Sequence, residues 1–165
     1  MPEIDDETIA YVLESRQHFE DLKQASAQLA GLLVLAAAGA KSASPDHPLL
    51  TAAQQILIQV VDGVGAARVT ARARRHHAHL RRAVQSIGSA LDIARTHLGR
   101  PGRVDVDPIL VPLRAGYAHL QRAAGALPGF HMVDFEQGCC GRPHVGPAVG
   151  ALTAPVPTPT VEDRP

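Results

Sequence analysis

The sequence predicts an all-α fold: an antiparallel bundle of three long helices with a non-helical C-terminal tail. Three observations carry the prediction. Apolar residues recur at three- and four-residue spacing over most of residues 6–127, the period of a helix with one buried face. The apolar mass is Ala, Leu, Val and Ile, with aromatics at only 3% and no Trp, which is the stock of helix–helix packing. Proline and glycine cluster at a few points and leave long uninterrupted stretches between them.

The first helix is expected over residues 6–40. Ile9, Leu13, Phe19, Leu22, Leu29, Leu33 and Ala36 mark its apolar stripe, and Asp5, Asp6 and Glu7 suit its positive N-terminal end. Pro45 and Pro48 forbid its continuation. The second helix starts near Leu49, with apolar or small residues at 50, 53, 57, 60, 64 and 67, then at His77, Leu80, Val84, Ile87, Leu91, Ala94 and Leu98. Gly63 and Gly65 interrupt it. Together they cost about 2 kcal/mol against alanine, so the helix is kinked or broken near Gly63, a kink being favoured. Gly99, Pro101 and Gly102 stop it. Asp107 and Pro108 open the third helix, as an N-cap acid followed by proline at the first helical position. Its stripe is Ile109, Leu113, Tyr117, Leu120, Ala124 and Leu127, and Pro128-Gly129 ends it. The expected organisation is a helical bundle over 1–128, a Gly- and Cys-containing extension over 129–150, and a disordered Pro-rich tail over 151–165.

Charge patterning supports a fold-back. Residues 1–40 hold seven acids and two bases, whereas residues 64–103 hold nine arginines and one acid. A reversal near residue 44 sets Glu20 level with residue 68 and Glu7 level with residue 81. It also faces residues 29–40 with residues 56–61, both apolar nearly all round. A helix apolar on every side is normally buried, so the hairpin tip is expected to meet the third helix or another copy of the chain.

Sixteen basic and sixteen acidic residues cancel, so net charge points to neither nucleic acid nor membrane. The acidic start does not resemble a signal peptide. The longest stretch without a polar side chain is twelve residues against the ~20 of a membrane span. A cytoplasmic protein without a membrane span is the expectation. Cys139 and Cys140 are adjacent, with Cα atoms about 3.8 Å apart, too close for an unstrained disulfide. Two free thiols are expected.

Three places hold candidate chemistry. The first is Arg68, Arg72, Arg75, His79 and Arg82, one basic stripe of the second helix that could meet phosphates or nucleic acid. It has no interleaved aromatics to stack on bases, so a solvated face neutralised by Glu7, Glu14, Glu20 and Asp21 is preferred and nucleic acid is the disfavoured partner. The second is His76 and His79, spaced for metal on one helix face. Their arginine neighbours repel a cation, and surface histidines are the preferred reading. Glu14 and His18, one turn apart, occur once and do not make a di-iron motif. The third is the segment 129–144. Phe130, Met132, Val133 and Phe135, with Cys139 and Cys140 between glycines, read as a strip that docks a partner. His131, Cys139, Cys140 and His144 form an alternative set for zinc or another thiophilic metal, weakened by the cysteines being adjacent. Arg142 could lower a thiol pKa there.

No phosphate loop, Ser-His-Asp order or dinucleotide fingerprint occurs. The expectation is a non-catalytic accessory or scaffold subunit that self-associates through its helical hairpin and docks a larger protein through residues 130–140. The alternative is a metal-binding or redox-responsive protein built on Cys139 and Cys140.

Overall fold

The computed structural model describes residues 5–40, 43–100 and 104–132. Among these residues four helices follow one another: α1 (Asp6–Ala37), α2 (Pro48–Ala66), α3 (Arg74–Leu98) and α4 (Asp107–Ala126). Among the described residues there is no strand. By internal packing Met1–Met132 is one compact unit. It runs past residue 128 because Phe130 is buried on the helices and Met132 packs against their core. Val133, Phe135, Cys139, Cys140 and His144, with residues 133–150 of the expected extension and the whole expected tail 151–165, lie outside the described residues.

The all-α expectation holds, but the bundle has four helices rather than three. The expected second helix is two. The break is not at Gly63, because α2 continues through both glycines to Ala66. The chain then extends at Ala67 (φ −61°, ψ 135°) and turns into α3. Gly63 has another use: a Cβ at that position would overlap the His18 imidazole of α1, so the missing side chain lets α1 and α2 approach. The break itself is held by hydroxyls. Thr70 Oγ1 accepts from the Ala73 N–H at 3.2 Å and shares a 2.9 Å hydrogen bond with Thr8 Oγ1 of α1. Thr8 is in turn tied to Asp5, whose carboxylate accepts from the Thr8 N–H at 2.7 Å and caps α1. These bonds keep Asp5 below the usual carboxylate range.

The core face of α1 matches the expected stripe at Phe19, Leu22, Leu29, Leu33 and Ala36 and departs from it only near the start of the helix. Thr8, Ser15, Leu22, Leu29 and Ala36 are buried every seven residues, and Tyr11, Ala25 and Leu32 accompany them. This is a heptad seam, the pattern of helices packed nearly parallel or antiparallel. Ile9 and Leu13, expected inside, are 45% and 68% exposed. The seam's first two turns are polar, so hydropathy alone selects the wrong face there.

Packing is most extensive between α3 and α4, then between α1 and α2. The α3–α4 crossing is close at Gly116, where a Cβ would come within 2.7 Å of Ile87 Cγ1. The core is Phe19, Leu22, Leu29 and Leu32 of α1, Leu50 and Val60 of α2, Leu80, Ile87 and Leu91 of α3, and Ile109 and Leu120 of α4. The expected acid–arginine ladder across the first hairpin is replaced at Glu20, which pairs with Lys23 of its own helix at 2.8 Å.

Candidate functional surfaces

Three features stand out, and each uses α3. The first is internal. His76, expected on the surface, is fully buried. Its Nδ1 lies 2.8 Å from the Tyr11 hydroxyl, and the rings of Phe19 and Phe130 flank it, Phe130 at 4.0 Å between centroids. Nε2 is buried and has no hydrogen-bond partner. A proton added here would create a charge with no counter-ion and one unanswered N–H. Burial first, then the nearby His77 and His79, pushes the His76 pKa down to about 4. The ring is therefore a neutral core element at physiological pH. It explains the fate of Phe130: expected to contact a partner, Phe130 is instead buried in this chain's own core. Lys23 closes that end, donating from Nζ to the His131 carbonyl at 3.3 Å.

The second feature is a groove between α2 and α3. Leu57, Val61, Val64 and Gly65 of α2 face Val84 and Gly88 of α3, and Arg81, Gln85, Ser89 and Asp92 form its polar rim. The groove encloses about 580 Å³. Gly88 lets Leu57 of α2 pack close to α3, because Leu57 Cδ2 lies only 3.3 Å from where its Cβ would be. The apolar surface continues beyond the groove: Ile58 is 65% exposed, and Val61 is 48% exposed. Although α2 is mainly apolar, only Leu50, Ala53, Val60 and Val64 are buried along its 19 residues. Val34 and Leu35 of α1 are exposed as well. The fold-back therefore leaves much of the hairpin's apolar surface open.

Comparison of the chain with protein-family models, curated proteins and solved structures finds no match.

The third feature is a basic cluster on α3 and α4. Of the expected stripe, only Arg75, His79 and Arg82 share a helix; Arg68 and Arg72 fall in the connector before α3, because the helix breaks there. The stripe is completed from a place no local sequence window contains. His79 stacks on His119 of α4 with centroids 5.8 Å apart and planes at 28°, and Arg122 lies one turn beyond His119. Burial lowers both imidazole pKa values, and the arginines lower them further: Arg82, Arg75 and Arg122 at His79, and Arg122 and Arg82 at His119. Among the described residues no carboxylate opposes them at either ring.

Of the expected metal set, only His131 is described, and it is exposed. Among the described residues no group of three or more His, Cys, Asp or Glu could hold a metal ion. Glu14 and His18 do not form a centre either, since His18 is packed against Gly63.

Proposed function

We propose that the protein is a non-catalytic accessory subunit that self-associates through the open face of α2 and the α2–α3 groove. The observation that carries this reading is α2: an apolar helix in a folded bundle whose Ile58 and Val61 face solvent beside an apolar groove. Contiguous apolar surface with a polar rim marks an interaction site. The occupant is a second copy of this chain. Arg81 and Asp92 lie at the two ends of the same rim on α3, eleven residues or about 16 Å apart. A two-fold axis near Ser86 and Ile87 brings Arg81 of each copy to Asp92 of the other, so the face complements itself, as an isologous dimer interface requires. Ser89 and Gly88 at the centre are small and permit close helix approach. Docking of a larger partner falls to Val133, Phe135, Cys139 and Cys140, with Met132 at its edge, Phe130 being committed to the core.

Sedimentation equilibrium tests the reading. Arg81→Asp and Asp92→Arg each create two like-charge contacts per dimer and weaken association about tenfold. The double variant Arg81→Asp/Asp92→Arg restores it, because the swapped charges again oppose. A chain that stays monomeric at high concentration, or a double variant as weak as the single ones, refutes the reading. Binding to lipid vesicles by monomers would assign the α2 face to a membrane surface instead, since α2 is long and apolar enough to cross one by length and composition.

A further inference from the structure

The cluster on α3 and α4 shares no residue with the groove, so its chemistry is independent of self-association. Helices α3 and α4 run antiparallel, with Ile87 at Gly116 and His79 at His119. Arg82 and Arg122 each lie near enough to both rings to oppose their protonation, and Arg75 acts on His79 from one turn nearer the start of α3. Two helices supply five groups that carry or can carry positive charge. Arg75, Arg82 and Arg122 are exposed, and the imidazoles are partly buried.

Nothing within the described fold accounts for this arrangement. Like charges at helical-neighbour spacing are destabilising, and the usual remedy is an interleaved acid. The only ion pair among the described residues that an acid of α1 makes is Glu20 with Lys23. The two rings stack despite repelling each other's protonated form, and their Nδ1 atoms are buried without partners. The end of α3 nearest the cluster is its N-terminus, where Ala73 has no side-chain cap and the helix dipole adds positive potential.

We propose that this cluster is a binding site for a short linear polyphosphate. The chemistry follows from the donors. Guanidinium groups bind phosphate oxygens through paired N–H donors, and protonated imidazoles add further donors on demand. The extent follows from the spacing. Arg75 and Arg82 are seven residues apart, about 10.5 Å along α3, longer than one phosphate group bridges and suited to a chain of two or three. Among the described residues no acid acts on either ring to repel the anion. Binding draws protons onto His79 and His119, because the ligand replaces the repulsion of the arginines with attraction.

The test uses the full chain at low ionic strength, with tripolyphosphate as probe and calorimetry as readout. The expected result is saturable binding at one site per chain, about tenfold tighter at pH 6 than at pH 8. Protonation of the probe acts the other way, since it loses charge as pH falls. Arg82→Gln/Arg122→Gln weakens binding more than tenfold, while Arg95→Gln/Arg100→Gln, which removes the same charge at the far end of α3, changes it less than twofold. His79→Gln/His119→Gln keeps binding at pH 8 and removes the pH dependence. All these side chains are outside the core, and the His79 and His119 ring protons in NMR spectra report the site directly, shifting as the probe is added. Adenosine triphosphate identifies the source. Affinity equal to the probe's admits nucleotides, whereas much weaker binding restricts the ligand to inorganic chains, and either result supports the site. Absence of saturable binding overturns the proposal. So does equal loss in the two arginine pairs, which would reveal general charge attraction only, or an affinity that does not rise on acidification.

Discussion

Mild acid should loosen this bundle, and His76 sets how much. Its folded pKa is about 4, against an ordinary 6.5. A depressed histidine pKa means that the unfolded chain binds the proton first. Stability is therefore complete above pH 6.5 and falls as pH drops from 6.5 towards 4. Taking those two values, stability at pH 5 lies about 2 kcal/mol below that at pH 8, and the full loss below pH 4 approaches about 3 kcal/mol. For a unit of this size, 2 kcal/mol corresponds to roughly 6–10 °C in Tm. His77, His79 and His119 are shifted the same way and add to the drop, so a variant must isolate the His76 share. Tyr11→Phe/His76→Leu removes the titrating ring together with the hydroxyl it satisfies. It carries a packing cost at every pH, but its loss between pH 8 and pH 5 should be smaller than that of the natural chain by about 2 kcal/mol. Urea unfolding at the two pH values measures both. The same pH-dependent loss in both proteins would refute the reasoning, since it would mean that the buried ring takes up a proton as readily as a solvated one.

Three further substitutions probe the packing. Gly116→Ala forces a methyl against Ile87 at the α3–α4 crossing and should destabilise by about 1–3 kcal/mol, whereas Gly65→Ala meets no atom within 4 Å and should stabilise by about 0.5–1 kcal/mol through helix propensity; urea midpoints that move alike in the two variants would contradict the close crossing. Phe130→Ala should cost about 3–5 kcal/mol because the ring fills the box with Phe19 and His76, and a cost under 1 kcal/mol in thermal unfolding would return Phe130 to the surface.

The regular parts of this fold are legible in the sequence where hydropathy and burial coincide. Ile109, Leu113, Leu120 and Leu127 around α4, and Leu80, Ile87, Leu91, Ala94 and Leu98 along α3, are apolar, helically spaced and buried. The reading fails where the core is polar. Thr8 and His76 are buried because they meet Thr70 and Tyr11, each far away in sequence, and Ser15 is buried on the same face of α1 as Thr8. Hydropathy therefore favours Ile9 and Leu13, one and two positions away from Thr8 and Ser15. The seven-residue recurrence through Leu22, Leu29 and Ala36 is the available signal, since extended backwards it lands on Ser15 and Thr8. Sequence reasoning misplaces the helix break for a related reason. Gly63 and Gly65 carry the propensity cost of a break, yet Gly63 is tolerated because a neighbouring helix needs the space. The actual break is fixed by Thr70, whose role depends on a partner in α1. The anion cluster is half legible: Arg75, His79 and Arg82 recur at helical spacing, but His119 and Arg122 join them only through the α3–α4 register.

Helix α3 thus serves three faces at once, and this constrains how its chemistry can respond to pH. Its core face holds His76, Leu80 and Ile87; its groove face holds Arg81, Val84, Gln85, Gly88 and Asp92; its α4 edge holds Arg75, His79 and Arg82. Protonation at the core face costs stability, while protonation at the α4 edge increases affinity for an anion. The two do not coincide, because His76 is fully enclosed whereas His79 and His119 are only partly buried. The edge histidines therefore charge first as pH falls, and a bound polyphosphate brings their charging to still higher pH by stabilising the protonated rings. Such a ligand binds the folded chain and not the unfolded one, so it also opposes the acid loss set by His76. Saturating tripolyphosphate should accordingly shrink the difference in unfolding midpoint between pH 8 and pH 5 in the natural chain, and leave it unchanged in Arg82→Gln/Arg122→Gln.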